Sequence, residues 1–274
     1  MKLAISNIAW NLDEDEAVLA LMHEYGVSGV EIAPTKIWAD PLSASDADIR
    51  LYANRWKNEG IDISSMQALL FGHPELTIFE DKEKRQRTTE YLCKIIRLGG
   101  ILGAGALVFG SPKNRLICNL EKKIVDEISA EFFTAVGKCA AEHGCVFCIE
   151  PNPVSYGCDF ITTSEQAREL VENVNHPGFA LHLDAAGMTM SNENIAQQLP
   201  LSIPQLCHFH ISEPNLEPVG LGTVDHKLIV ALFNVSDYKN WYSIEMRPPD
   251  KNNNLSGIAT ALKFIRETYV HKII

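Results

Sequence analysis

Short apolar runs alternate along the whole chain with longer stretches in which apolar positions recur at helical spacing. The runs 2–9 (KLAISNIA), 27–34 (VSGVEIAP), 61–69 (IDISSMQAL) and 105–112 (GALVFGSP) read as the first four strands. CVFCIEPN, FALHLDAA, LCHFHIS and YSIEMRP read as the fifth to the eighth. Helix-like stretches lie between them. The first is 13–25, closed by Gly26, and the second is SASDADIRLYANRWKNEG, with Ser43 or Ser45 as N-cap and Gly60 as the stop. About 81–98 follows, then EKKIVDEISAEFFTAVGKCAAEHG, stopped by Gly144, then TSEQARELVENV, the short SNENIAQQL, 226–234 and 255–270. Eight strand–helix units in succession predict an α/β fold, a single-domain (β/α)8 TIM barrel over residues 1–274. The competing open doubly wound sheet usually has fewer strands and a glycine-rich turn after the first, where this chain has AWNLDED. The stretch 68–82 (ALLFGHPELTIFEDK) is poor in strand pattern and is expected to form an active-site loop.

The chemistry-bearing residues fall at strand ends. Glu150 closes the fifth strand, Asp184 the sixth, His210 the seventh and Glu245 the eighth. In a parallel barrel the strand C-termini share one rim, where the reaction centre lies. Alternation adds a test, because only every second side chain points inward. His182 and Asp184 share parity, as do His208 and His210, and as do Ser243, Glu245 and Arg247. A single strand-end Asp or His usually caps a loop, but four on consecutive strands predict a metal centre. Three carboxylates and one imidazole suit Mn²⁺, Mg²⁺ or Co²⁺, with Zn²⁺ as a further candidate.

Composition narrows the partners. The net charge of −11 opposes phosphate backbones, so no nucleic-acid partner is expected. Seven cysteines without scaffold-like spacing suggest reduced thiols in a cytoplasm. Cys145 and Cys148 form a CxxC, but within a strand they point to opposite faces and are expected to pack in the core. The N-terminus is too short and mixed for a signal peptide, and no run of 18 apolar residues exists, so no membrane span is expected.

These residues, with IEPNP around Glu150, HLD before Asp184, HFHIS around His210 and GLGTVDH after it, resemble the xylose isomerase-like superfamily of barrels. The nearest likeness is to its sugar isomerase, ketose 3-epimerase and inosose dehydratase branch. The likeness spans the chain but is specific in the second half, with VEIAP the most family-like phrase of the first. It implies a metal-dependent isomerase or epimerase of a sugar or sugar phosphate, with Glu150 and Glu245 exchanging the α-proton through a metal-stabilised enediolate. It also implies a small-molecule sugar substrate and a homodimer. Two positions depart from the ketohexose epimerases: Gly187 stands where they carry a His, and Leu216 where they carry an Arg. Both family residues grip sugar oxygens.

Other groups are therefore candidates for holding substrate. Lys113 and Arg115 in GSPKNR, and Arg247, could grip an anion. His182 and His208 are expected one layer deeper, where they could orient a carboxylate or simply fill the core. Trp10, Trp38 and Phe71 could cover a sugar face, His73 could reach the pocket from its loop, and Asn152 could donate to Glu150. A dehydratase shares the first proton transfer and is the nearest alternative. An endonuclease IV-like hydrolase needs more histidines than these nine, several of which, such as His23, His143 and His271, lie on helix-like stretches. A non-catalytic sugar-binding barrel is the third alternative.

Overall fold

The computed structural model describes residues 1–248 and 254–270. Eight parallel strands close into a barrel in sequence order: β1 (Lys2–Ser6), β2 (Gly29–Ile32), β3 (Asp62–Met66), β4 (Ala106–Phe109), β5 (Val146–Ile149), β6 (Phe179–Asp184), β7 (Leu206–Ser212) and β8 (Trp241–Glu245). The ring is completed by β8 pairing with β1. Around it run α1 (Asp15–Tyr25), α2 (Asp46–Asn58), α3 (Lys82–Leu102), α4 (Lys122–Glu142), α5 (Ser164–Val174), α6 (Ala185–Met190), α7 (Ile195–Ser202), α8 (His226–Asn234) and α9 (Asn254–Ile265). The expected single-domain (β/α)8 barrel is the architecture found. Among the described residues no helix is long and apolar enough to cross a membrane.

Local chemistry sets the helix ends. Ser45 and Asp48 form a reciprocal capping box at the start of α2. The side chains of Asp81, Thr163 and Asp225 cap α3, α5 and α8, each cap being worth about 1 kcal/mol. α6 has no counterpart in the sequence pattern. Its six residues, AAGMTM, are too few to show a period, and it forms because Asp184 caps it through the Gly187 amide. The closing helix ends at Ile265 and continues as a π-helical turn, Arg266–Val270. His23 lies in α1 and His143 caps α4, while His271 is outside the described residues.

The apolar core lies between strands and helices. Phe109, Phe133, Phe147 and Phe179 pack there, with the Phe133 and Phe179 rings 4.9 Å apart. Cys145 and Cys148 are both buried in that core, and all seven cysteines are free. The barrel interior is polar toward the mouth: Ser6, Glu31, Ser65, His182, His208, His210 and Ser243 are almost wholly buried. Register slips at Val30/Glu31 and at Leu181/His182, so the ladder is irregular where two of these polar side chains turn inward.

Candidate active site

The strand ends of β5 to β8 bring Glu150, Asp184, His210 and Glu245 together at the C-terminal mouth. His210 Nδ1 lies 3.3 Å from Glu245 Oε2, 3.9 Å from Glu150 Oε1 and 3.9 Å from Asp184 Oδ2. The three carboxylates are 14, 11 and 17 % exposed, so they are nearly desolvated yet open to the cavity above. Glu150, Asp184 and His210 each offer a ligand atom within 4.8 Å of the others, a spacing that could hold a metal ion, while Glu245 approaches the group through His210.

Asp184, Glu150 and His210 are each held from behind. Asp184 accepts from the Ser212 hydroxyl and from the Gly187 amide. Glu150 Oε2 accepts from Asn152 Nδ2 at 3.1 Å, and Arg115 donates to the Glu150 carbonyl at 2.7 Å. A Cβ at position 110 would collide with Glu150 Oε2, so this carboxylate needs the glycine of GSPKNR beside it.

His210 is fixed by a residue the sequence reading missed. Glu31, on the far side of the barrel, is wholly buried, with its two oxygens 3.1 and 3.0 Å from His210 Nε2. It also accepts from Ser65 and Ser243, each at 2.9 Å, and lies 3.2 Å from His208 Nε2. A carboxylate only accepts, so Nε2 carries a proton toward Glu31, and Nδ1 faces the three acids. Nδ1 is buried and has no hydrogen-bond partner among the described residues. An orphaned nitrogen among three carboxylates is the arrangement a divalent cation would satisfy.

The electrostatics agree. Burial, together with the charges of Glu245 and Glu150, pushes the Asp184 carboxyl up to about 7. Burial also raises Glu245. Burial disfavours a charged His210, but the carboxylates of Glu31 and Glu245 outweigh it and hold the imidazole well above its ordinary value. Burial depresses His182 and His208, so both are neutral near pH 7. Burial opposes charge on Glu31 as well, yet His210 and His208 keep its carboxyl well below the usual range. Without an ion, the imidazolium of His210 and the proton on Asp184 offset part of the negative charge of the mouth.

Above the acids lies a cavity of about 600 Å³. Asn152 and Arg247 line it. His182 sits beneath it, its Nε2 3.4 Å from Glu150 Oε1, and His208 lies deeper against Glu31, as their parity suggested. Phe71 also lines the cavity, but the remaining candidate substrate residues are elsewhere. Trp10 is buried, with its indole N–H donated to Asp15 at 2.7 Å. Trp38 packs edge-on against Tyr52, over α2. His73 rests on Tyr91 and pairs with Glu75, and with Lys113 it lines an adjoining depression. Arg115 is not placed to grip an anion in the cavity, because the 3₁₀ turn Pro112–Arg115 folds it completely inward onto the Glu150 backbone. Gln67, Tyr156 and Glu213 also line the cavity and were not anticipated. Four cavity residues, Ala68, Ser111, Asn215 and Leu216, hold left-handed backbone, a conformation that persists only where the surroundings enforce it.

Fold and mouth together define a (β/α)8 barrel whose acidic C-terminal face contains one oriented imidazole. The chain belongs to the xylose isomerase-like TIM barrel family, whose model matches residues 19–268. It is similar in structure to a D-psicose 3-epimerase from Clostridium cellulolyticum H10 solved with D-tagatose, with TM-score 0.81 and 18% identity over 98% of this chain and 99% of that one. It is also similar to a probable 3-DHS dehydratase from Bacillus anthracis, with TM-score 0.74 and 17% identity over 97% and 98%. A third likeness is to the IolI protein with a bound zinc atom, with TM-score 0.76 and 19% identity over 98% of each. Among curated proteins no match is found.

Proposed function

We propose that this chain is a divalent-metal-dependent isomerase or epimerase of a sugar or sugar derivative. One observation carries the reading: three carboxylates at the ends of β5, β6 and β8 face the unpartnered Nδ1 of His210 on β7. Glu150, Asp184, His210 and Glu245 would hold the ion. Bound there, it supplies the positive charge that acidifies a carbon beside a carbonyl.

The protein's own groups do the rest. Glu150 and Glu245 reach the cavity from different strands, so one carboxylate takes the α-proton and the other returns it. Asn152 orients Glu150 through Oε2, and Arg115 clamps its main chain. Glu31 keeps His210 Nδ1 aimed at the acids.

A dehydratase is the second reading, favoured by Gly187 and Leu216. Without the two sugar-gripping side chains, free ketohexose epimerisation is disfavoured, while α-proton removal followed by loss of a β-hydroxyl needs only the same carboxylates. To test both, a panel of ketoses, inososes and sugar phosphates is incubated with the metal-loaded protein in D₂O. Deuterium at the α-carbon without loss of water supports isomerisation, and a dehydrated product supports the lyase. Protein that binds no divalent ion, and whose sugar affinity is unchanged by Glu150→Gln, would refute the catalytic reading.

A further inference from the structure

Among the described residues that line the cavity above the acids, Arg247 is the one Lys or Arg. Glu150, Asp184 and Glu245 face the same space around His210. Glu213 borders it too, but its charge is already engaged. Its Oε1 meets the Gly220 amide at 3.3 Å and His226 Nε2 at 3.0 Å, and its Oε2 accepts from the Thr223 and Val224 amides. The Arg247 side chain is exposed, yet its main chain is pinned. The Arg247 amide donates to the Leu216 carbonyl at 2.9 Å, the Leu216 amide donates to the Glu213 carbonyl, and the Asn215 amide donates to the Tyr156 hydroxyl at 3.2 Å. The segments after β5, β7 and β8 are thereby stitched into one side of the rim.

That side of the rim offers donors. The Tyr156 oxygen accepts from Asn215, which leaves its O–H to donate, and a guanidinium only donates. Asn215, and Ser111 from the loop after β4, add an amide and a hydroxyl for a sugar's own hydroxyl groups. A hydroxyl is satisfied by either kind of partner, whereas the guanidinium fork matches the two oxygens of an anion. An anionic substrate is repelled by an acidic mouth unless its charge meets a cation, so Arg247 fixes where that charge lies. The number of cations selects the anion. One guanidinium balances one carboxylate, while a phosphate dianion beside three carboxylates keeps a charge uncompensated. Phosphate also commonly draws on the free amides of a helix start. The helix that opens on this cavity is α6, and the Ala186 and Gly187 amides of its first turn are already bonded to Ser212 and Asp184.

We infer that the substrate is a keto sugar acid, with its free ketone and neighbouring hydroxyl at Glu150, Asp184 and Glu245 and its terminal carboxylate held by Arg247. This rests on the reading of the carboxylate cluster as the reacting centre, and such a substrate carries the α-proton that this centre moves. Arg247 selects the substrate and takes no part in the proton transfer.

The test compares two matched sets for binding to the full chain by calorimetry, with and without saturating Mn²⁺. One set is D-fructose, D-fructuronate and D-fructose 6-phosphate, and the other is D-tagatose, D-tagaturonate and D-tagatose 6-phosphate. In at least one set the uronate is expected to bind about tenfold tighter than the neutral ketose, the size of a charge-assisted hydrogen bond at an exposed cation, and tighter than the phosphate. Arg247→Gln should bring the ratio of uronate to ketose affinity toward one, and Lys113→Ala, in the adjoining depression, should leave that ratio unchanged. Arg247 is exposed, so its replacement leaves folding intact, and the thermal midpoint verifies this. No measurable uronate binding, equal affinities within both sets, or a phosphate preferred in both would overturn the inference. A ratio that survives Arg247→Gln would place the carboxylate elsewhere, and an equal loss in Lys113→Ala would mark general attraction, so either result overturns it as well. Hydrogen exchange beside the ketone, followed by proton NMR in D₂O, separates it from the proposed function. Mn²⁺ uptake and exchange without uronate preference defeat the keto acid alone, whereas an Arg247-dependent uronate preference without Mn²⁺ uptake or exchange defeats the metal-centre reading.

Discussion

The eight strand ends are equivalent by topology, yet the two halves of the rim carry different chemistry. From β5 to β8 each strand carries a carboxylate or an imidazole within two residues of its C-terminal end, and the three carboxylates lie 3.3–3.9 Å from His210 Nδ1. From β1 to β4 the rim toward the cavity is largely apolar, with Ile8, Ala68, Phe71, Val108 and Pro112. One residue crosses the division. Glu31 on β2 reaches through the barrel to His210, and Ser65 on β3 supports it. The first half therefore contributes shape and one supporting carboxylate, while the second contributes the carboxylates that face the cavity. A barrel interior permits this because opposite strands meet in one packed layer.

The largest expected effect lies in the second half. Glu150→Gln or Glu245→Gln should slow α-proton exchange by about 10²–10⁴-fold, the usual contribution of a positioned acid or base. Exchange of an identified substrate followed by proton NMR in D₂O checks it, and a loss under tenfold at both sites would break the division. Glu31→Gln probes the crossing. It should weaken Mn²⁺ binding by about 10–100-fold, read by electron paramagnetic resonance titration, because His210 loses the group that aims it. Unchanged affinity would confine Glu31 to core packing.

Charge crowding in the second half gives a pH signature. In the ion-free protein Asp184 keeps its proton up to about 7, whereas its ordinary value is 3.8. Between those values the folded state binds more protons than the unfolded chain, so stability falls as pH rises from about 4 to about 7, by a few kcal/mol at most. The thermal midpoint should drop across that window. Asp184→Asn should flatten the drop, and saturating Mn²⁺ should offset it. A midpoint that rises through the window in Asp184→Asn and parent alike would show that other groups dominate. The smallest effect belongs to Lys113→Ala, in the adjoining depression. It should change stability by less than about 0.5 kcal/mol, measured by urea denaturation.

Much of the site could be read from strand ends and parity. Glu150, Asp184, His210 and Glu245 each close an apolar run, and the shared parity of His208 with His210 correctly suggested a deeper partner. Glu31 was overlooked although a carboxylate between Val30 and Ile32 in a short buried strand is itself a signal, since such a charge needs partners. Its partner is 179 residues away, a separation that no local pattern encodes. Arg115 was misjudged for a related reason. A cation in a loop after a strand reads as an anion grip until the loop's path is known, and this one folds under Glu150.

What the chain determined by itself was the succession of strands and helices, the caps that end them and the identity of the residues at each strand end. These follow from periodicity and short-range hydrogen bonding. Tertiary structure alone decided which side chains meet, because closure of the ring, the slips at Glu31 and His182, and the inward turn of Arg115 depend on contacts between distant segments. Only in the closed barrel does a carboxylate on β2 complete a site whose other members lie on β5 to β8.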